Sequence, residues 1–159
     1  MIVMYVKDSI LNAKQKYIAH GVNCQNKMGS GVAKVIYKEY PIVKSSYHDF
    51  AKSAKQPSDL LGVNQRIYLG DEVHESVFNM FTQENYGYDG EKYVSYEAIY
   101  NCFRNLTEEM QADSYPDIAI PKIGCGLAGG NWDIVSRIIN DATGDDLDVY
   151  VYDPNLGEK

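Results

Sequence analysis

Three features are scarce or missing in this sequence, and each argues against a class of protein. No stretch approaches the roughly 18 consecutive apolar residues that a membrane-spanning helix requires, and the N-terminus lacks a basic segment followed by an apolar run. Acidic residues outnumber basic ones by 22 to 15, and the formal net charge of −7 disfavours generic nucleic-acid binding. The three cysteines are an odd number without close pairing, which favours a reducing, cytoplasmic location over a disulfide framework.

The composition that is present is typical of one globular domain. With 159 residues, 45% hydrophobic and 23% charged, the chain is long enough to bury a sizeable core. No internal repeat, low-complexity tract or linker interrupts it. We therefore expect a single domain over residues 1–159.

Strands and helices are predicted to alternate along the chain. Short apolar or β-branched runs predict six strands, at residues 1–6, 17–22, 66–69, 76–81, 117–121 and 148–152. The first of these runs, MIVMYV, is expected to be buried. Apolar residues at helical spacing predict a helix from the glycines near Gly31 to Pro41, a second after a Ser95 cap and a third after an Asn131 cap.

This alternation predicts an α/β fold with three α/β/α layers around a mixed, mostly parallel sheet. Two glycine-rich loops, near residues 28–31 and 122–130, each follow a predicted strand and precede a predicted helix. In such sheets ligands bind beyond the carboxyl ends of the strands, where loop N–H groups and helix N-termini attract anions. A pyrophosphate is therefore the expected ligand of these loops.

Several familiar sites fit the sequence poorly. Residues 124–129 match G-x-G-x-x-G, but only one strand and a tail follow, so a dinucleotide-binding unit is incomplete. No Lys-Ser or Lys-Thr pair follows the glycines, which excludes a P-loop. Asn131 stands six residues after Cys125, where a cysteine phosphatase would have its arginine, and the three histidines show no metal-ligand spacing with the cysteines. We predict no metal and no cofactor.

Two segments together resemble the ligand loops of macro domains. They are residues 19–33, AHGVNCQNKMGSGVA, and residues 120–132, IPKIGCGLAGGNW. The pair is similar to the branch that includes a yeast ADP-ribose 1″-phosphate phosphatase and a human enzyme that removes ADP-ribose from glutamate. The resemblance covers nearly the whole chain and extends to sequences carried by bacteriophages.

The resemblance implies a set of ligand-binding positions for ADP-ribose or ADP-ribose 1″-phosphate. The adenine would lie near the turn after the first strand and the end of the last, and the diphosphate and distal ribose would lie between the two loops. The implied ligand-binding residues are Asp8, Ser9, Ile10, Asn23, Met28, Gly29, Ser30, Gly31, Val32, Ile123, Gly124, Cys125, Gly126, Leu127, Ala128, Gly129, Tyr152 and Pro154.

The resemblance also bears on catalysis. The glutamate-directed branch uses a lysine and an aspartate at positions that here hold Gln83 and Ala128, so that mechanism does not carry over. His20 matches a strand-end histidine of the phosphatase branch and is predicted as an acid–base group, with Asn23 and Asn26 as polar partners. The predicted activity is dephosphorylation of ADP-ribose 1″-phosphate. Two alternatives stay open: a non-catalytic ADP-ribose-binding module, and a hydrolase that removes ADP-ribose from modified macromolecules.

Overall fold

The computed structural model describes residues 1–29, 31–112 and 116–158. Within these ranges the elements follow a strand–helix alternation with bounds close to those predicted. The strands are β1 (Ile2–Val6), β2 (Tyr17–Asn23), β3 (Asn64–Tyr68), β4 (Ser76–Gln83), β5 (Asp117–Ile120) and β6 (Asp148–Tyr152). The helices are α1 (Gly31–Glu39), α2 (Ile42–Lys52), α3 (Tyr96–Met110) and α4 (Trp132–Thr143).

The six strands form one sheet in the order β1-β6-β5-β2-β4-β3. Every neighbouring pair is parallel except β3 and β4, which are antiparallel. The predicted mixed, mostly parallel sheet is therefore confirmed. Because β2 and β5 are parallel neighbours, the loops that follow them leave the sheet at the same edge.

One hydrophobic cluster lies on each face of the sheet. The cluster beneath α3 and α4 includes Phe103, Ile120 and Val135, and the cluster beneath α1 and α2 includes Ile36, Tyr47 and Phe81. All six side chains are fully buried. Helices thus cover both faces, as the three-layer prediction required.

Side-chain caps start the two helices that the sequence located best. Ser95 Oγ accepts a hydrogen bond from Ala98 N at 3.1 Å, and Asn131 Oδ1 accepts one from Asp133 N at 2.9 Å. Each bond satisfies a backbone donor that has no partner within its helix. The predicted start positions of α3 and α4 are therefore confirmed.

One prediction about an individual element was wrong, and one helix was missed. β1 is an edge strand, and Val3, Met4 and Tyr5 are 42–54% exposed, because only β6 pairs with it. Helix α2 was not predicted at all, although Val43, Tyr47 and Phe50 recur at helical spacing within it. No helix of the described residues is long and apolar enough to cross a membrane.

Candidate functional site

A cleft of about 1060 Å³ lies at the carboxyl edge of the parallel strands. Its lining comes from the ends of β2 and β4 and from the turns that follow β1, β5 and β6. One end of the cleft, called here the β1/β6 end, contains Ser9, Tyr152 and Pro154. The other, the β2/β4 end, contains Asn26 and Gln83. The two glycine loops border the cleft between these ends.

The second glycine loop, residues 121–130, presents free backbone donors. Gly129 N donates to Gly126 O at 3.1 Å and Gly130 N to Gly124 O at 2.7 Å, which closes the loop on itself. Among the described residues, none accepts a hydrogen bond from the N–H groups of Gly126, Leu127 or Ala128. Three successive unpaired N–H groups beside a cleft form a concave anion site.

Glycines let this loop pack closely against the chain before α3. A Cβ atom on Gly129 would lie 2.4 Å from Glu91 O, and one on Gly130 would lie 2.5 Å from Gly124 O. Gly129 also has a φ of +76°, which disfavours other residues. Gly126 differs from both, because a Cβ there would meet nothing within 4 Å. Its side-chain position is open space.

The described part of the first glycine loop, residues 24–29, is fixed by side chains of α2. Tyr47 OH donates to Asn23 O at 2.8 Å and accepts from Lys27 N at 3.1 Å. His48 Nδ1 lies 2.5 Å from Asn26 Oδ1. The Tyr47 ring is buried and stacks on Phe81 at a centroid distance of 5.8 Å. The loop therefore takes its shape from a helix that follows it in the chain.

His20 lies at the head of a directional chain of hydrogen bonds. Gln65 Nε2 donates to the carbonyl of Ser46, so Gln65 Oε1 accepts from Asn79 Nδ2. Asn79 Oδ1 is then the acceptor for His20 Nε2, at 2.5 Å. This order assigns the proton of His20 to Nε2 and leaves Nδ1 as an acceptor, which has no partner among the described residues.

Burial keeps this imidazole neutral. His20 is 1% exposed, and burial lowers its pKa to about 4, against the smaller raising effect of the bond with Asn79. A base of such low pKa takes up a proton poorly at neutral pH. The geometry thus favours a packing or hydrogen-bond-accepting role for His20, and its predicted acid–base role stays a prediction.

The glycine loops at the carboxyl edge are the decisive observation, and the comparisons with known proteins agree with them. Residues 19–139, which include both loops, match the family model of the Macro domain. The chain belongs to this family. Over 162 residues it is 33% identical to the uncharacterized 17.5 kDa protein in the tk-vs intergenic region of enterobacteria phage T4, with 96% of this chain and 97% of that protein covered.

Two further relatives extend the family assignment. This macro domain is 27% identical to an ADP-ribose 1″-phosphate phosphatase of Debaryomyces hansenii, with coverage of 85% of this chain and 87% of that protein. A macrodomain protein from Streptomyces coelicolor has a similar structure, with a TM-score of 0.77, 26% identity and coverage of 96% and 99%. The family predicted from the paired loops, and its presence in a bacteriophage, are confirmed.

Most of the residues predicted to bind ligand line the cleft of this macro domain. The predicted residues that line it are Ser9, Ile10, His20, Asn23, Asn26, Met28, Gly29, Gly31, Val32, Ile123, Gly124, Cys125, Gly126, Leu127, Ala128, Tyr152 and Pro154. Gly129 does not line the cleft but packs the loop against Glu91, and Ser30 lies outside the described residues.

Asp8 is placed differently from the prediction. It does not line the cleft, and its Oδ1 accepts hydrogen bonds from Asn12 Nδ2 and Ser9 N, both at 2.8 Å. These bonds lower the pKa of the Asp8 carboxyl, and the bond with Asn12 has the larger effect. Asp8 therefore holds the turn after β1, and its neighbours Ser9 and Ile10 meet the cleft. Asp is typical of turns because its side chain accepts hydrogen bonds from nearby backbone N–H groups, as that of Asp8 does from Ser9 N.

Asn23 is similarly occupied within the protein. Its Nδ2 donates to Lys27 O at 2.7 Å, and its Oδ1 accepts from Gln25 N at 3.0 Å and from Tyr47 OH at 3.0 Å. All of these partners belong to the first loop or to α2. The geometry favours a role for Asn23 in shaping the loop, and its predicted catalytic role stays a prediction.

The two positions that carry catalytic groups in the glutamate-directed branch lack them in this macro domain. Gln83 and Ala128 both line the cleft, and Gln83 Nε2 donates to Asn85 O at 2.8 Å. Neither side chain supplies an amine or a carboxylate. A lysine-linked mechanism at these positions has no chemical basis.

The cysteines are poor nucleophiles here. Burial raises the pKa of Cys125 to about 11 and that of Cys24 to about 12, so both thiols are protonated at neutral pH. Cys125 Sγ also donates to Ile123 O at 3.4 Å. Among the described residues, no group of three or more His, Cys, Asp or Glu side chains is placed to hold a metal ion.

The sequence analysis missed a basic cluster at the β2/β4 end of the cleft. Lys27, Lys44 and His48 line this end, and Lys52 lies close enough to influence His48. Residues 24–55 contain six lysines against Glu39 and Asp49, a formal charge of +4 in a chain whose total is −7. The net charge therefore hides a strong segregation of charge. Counting charges segment by segment would have revealed it.

Two exposed tyrosines face the same end of the cleft. Tyr86 and Tyr88 line it and are 43% and 70% exposed. Their loop is fixed beyond them, where Tyr93 N and Val94 N both donate to Ala128 O, at 2.7 and 3.1 Å. The chain before α3 is thus fastened to the second glycine loop and forms one wall of the site.

Proposed function

We propose that this macro domain binds ADP-ribose in the cleft and hydrolyses ADP-ribose 1″-phosphate to ADP-ribose and phosphate. The observation that carries the binding proposal is the row of unpaired N–H groups at Gly126, Leu127 and Ala128. Gly126 and Leu127 are exposed and Ala128 is buried, and N–H groups without protein partners are free to donate to an anionic ligand. A diphosphate supplies such acceptors.

The opposite wall supports the same ligand. Helix α1 begins at Gly31, which lines the cleft with a φ of +63°, and the N–H groups of its first turn have no partners within the helix. A helix N-terminus carries partial positive charge and favours an anion. The two loops together can therefore hold a diphosphate without any lysine contact.

The orientation of the ligand follows from the character of the two ends. The β1/β6 end has the apolar Ile10 and the Tyr152 ring, whose OH is already engaged with Gln15 Oε1 at 2.8 Å. Such a surface suits the flat adenine. The β2/β4 end has the lysines and suits the end of the ligand that carries a further phosphate.

The relatives support the activity. Debaryomyces hansenii and Candida albicans have ADP-ribose 1″-phosphate phosphatases that are 27% and 23% identical to this chain. Phosphate-monoester hydrolysis is extremely slow without catalysis, so binding by the glycine loops must be joined by an activated water and a proton acceptor.

Two measurements on one preparation test this proposal. Isothermal titration with ADP-ribose measures binding, and phosphate release from ADP-ribose 1″-phosphate measures turnover. Binding with turnover is the expected result. Binding of ADP-ribose without release of phosphate would reduce the protein to a binding module, and absence of binding at millimolar ADP-ribose would refute the assignment of the cleft.

A further inference from the structure

His48 has the geometry of an oriented base at the β2/β4 end of the cleft. An amide oxygen only accepts, so the 2.5 Å contact between His48 Nδ1 and Asn26 Oδ1 places the imidazole proton on Nδ1. Nε2 then carries the lone pair, and no described residue forms a hydrogen bond with it. The side chain is half-buried and lines the cleft.

The residue that contacts His48 has a left-handed backbone conformation. Asn26 has a φ of 60° and is the only non-glycine residue with positive φ within the described part of the chain. Asn adopts this left-handed conformation more readily than most residues with a side chain, and its Oδ1 here meets the His48 ring. Asn26 therefore acts as the positioning residue for the His48 ring.

The cations around His48 are not neutralised by carboxylates. Within residues 1–29, 31–112 and 116–158, neither Lys27, Lys44 nor Lys52 forms a salt bridge. Lys44 Nζ instead lies 4.5 Å from the centroid of the Tyr37 ring. Among the groups that act on His48, Asp49 alone carries negative charge. An uncompensated cluster of this kind at a cleft favours an anion.

We propose that Lys27 and Lys44 bind the terminal phosphate of the substrate and that His48 Nε2 is the general base for its hydrolysis. This inference rests on the proposed function and names the groups that perform it. It assigns the acid–base role to a histidine that borders open space, on a helix that the sequence did not predict, in preference to the buried His20.

The reaction balances with water as the only co-substrate. His48 Nε2 takes one proton from a water molecule as the water oxygen bonds to phosphorus. The bond between phosphorus and the oxygen on C1″ breaks, and that oxygen takes a proton from the imidazolium to become the hydroxyl of ADP-ribose. Lys27 and Lys44 offset the charge on the phosphoryl oxygens throughout.

The protonation state of His48 suits this role. Burial lowers its pKa, and Lys44, Lys52 and Lys27 lower it further, against the raising effect of Asp49. The ring is therefore neutral above a pKa that lies below the usual 6.5. Turnover should fall as pH drops through this pKa, because the base then becomes protonated.

The principal test replaces His48 with Gln and Lys44 with Ala. His48→Gln should lower kcat for ADP-ribose 1″-phosphate by about 10²-fold or more, the usual effect of losing a general base, and should abolish the acidic limb of the pH profile. Lys44→Ala should raise KM about tenfold, as a lost phosphate contact of about 1.4 kcal/mol would do. Both variants should bind ADP-ribose within about threefold of the parent, since neither residue contacts the diphosphate in this scheme.

Lys38→Ala is the matched control, because Lys38 is exposed on α1 and does not line the cleft. Lys38→Ala should leave kcat and KM unchanged. If the parent releases phosphate and His48→Gln retains turnover and the acidic limb, the inference is wrong and the proposed function stands. If the parent binds ADP-ribose without releasing phosphate, the proposed function is wrong and the inference falls with it.

A competition experiment distinguishes a terminal phosphate from a phosphodiester strand. Inorganic phosphate should inhibit turnover by the parent at millimolar concentration and should inhibit Lys44→Ala less. A short single-stranded oligonucleotide without ADP-ribose should compete no better than its phosphate content predicts. Strong competition by the oligonucleotide would overturn the assignment of the cluster to a phosphate monoester.

Discussion

The two glycine loops keep their shape in opposite ways. In the second loop, glycines at 129 and 130 allow contacts with Glu91 O and Gly124 O that any Cβ would prevent. In the first loop and at the start of α1, a Cβ atom on Gly29 or Gly31 would meet nothing within 4 Å. That loop is held by Tyr47 and His48, whose side chains bond to its backbone and to Asn26. A glycine-rich sequence can thus reflect close packing in one loop and freedom of approach in another.

This comparison predicts different sensitivities to substitution. In the second loop, replacing a glycine with a larger residue should lower stability and ligand affinity. In the first loop, removing a polar atom from an α2 side chain should do so. Gly126 is the exception within the second loop, because it faces open space in the cleft. A substitution at Gly126 should weaken ligand binding without lowering the stability of the fold.

The largest effect is expected from Gly126→Glu. The new carboxylate would stand beside the unpaired N–H groups and repel a diphosphate, at a cost of several kcal/mol in a partly desolvated cleft. ADP-ribose binding should become undetectable by calorimetry, while the melting temperature stays within about 3 °C, as expected for an exposed loop position. Gly126→Gln, which has equal size without charge, is the control and should retain more affinity. Parent-like binding by the glutamate variant would show that this loop does not hold the diphosphate.

The next largest effect is expected from Gly129→Ala. Its Cβ would lie 2.4 Å from Glu91 O at a φ of +76°, so the loop or the chain before α3 must shift. We expect a loss of about 1–3 kcal/mol in the free energy of unfolding and a drop of about tenfold in ADP-ribose affinity. Urea denaturation and calorimetry measure both.

Gly70→Ala separates strain from crowding in the preceding experiment. Gly70 has a φ of +68°, but its Cβ would meet nothing within 4 Å. It should lose stability without losing ADP-ribose affinity, because Gly70 is not part of the cleft. Equal affinity losses in the two variants would contradict the packing explanation of the second loop.

Tyr47→Phe should have a smaller effect, confined to the first loop. The ring remains stacked on Phe81, but the hydroxyl bonds to Asn23 and Lys27 are lost. Leaving these partly buried partners unsatisfied should cost about 1 kcal/mol of stability, and ADP-ribose affinity should fall about fivefold. Tyr40→Phe is the control, since its hydroxyl bonds to Asp71 and His74 outside the cleft. An affinity loss as large in Tyr40→Phe would refute the proposed anchoring by α2.

Gly29→Ala should have the smallest effect on the fold. Its Cβ would enter open space, and its φ is not in the left-handed region. The free energy of unfolding should change by less than about 0.5 kcal/mol, as measured by urea denaturation. A larger loss would indicate that the first loop, like the second, depends on close packing of its glycines.

Local patterns predicted the parts of the fold that depend on local chemistry. The cap at Asn131 and the apolar spacing that follows located α4, and the turn at Gly70 separated β3 from β4. The edge position of β1 could not be read from MIVMYV, because an apolar strand has the same sequence at the centre or the edge of a sheet. Its exposure is set by which strands pair with it.

In the site, too, the features that depend on contiguous sequence were predicted and those that depend on tertiary contacts were missed. Both loops were predicted because their glycines and flanking elements are contiguous in the chain. His48 and Lys44 were missed because α2 meets the first loop only in the folded protein, about 20 residues after it, as the contact between Asn26 and His48 shows. The hydrogen-bond partner of His20 was also beyond the sequence, since Asn79 lies on the neighbouring strand, 59 residues away in the chain.

The segregation of charge has a consequence for the rate at which a ligand arrives. A uniformly charged protein of −7 would repel an anion from every direction. Here two lysines of the +4 segment, Lys27 and Lys44, line one end of the cleft, and the rest of the chain carries the excess of negative charge. The resulting dipole turns an approaching phosphate toward α1 and α2 and away from the rest of the molecule. A larger fraction of collisions therefore leads to binding. Added salt should slow association, because it screens this electric field.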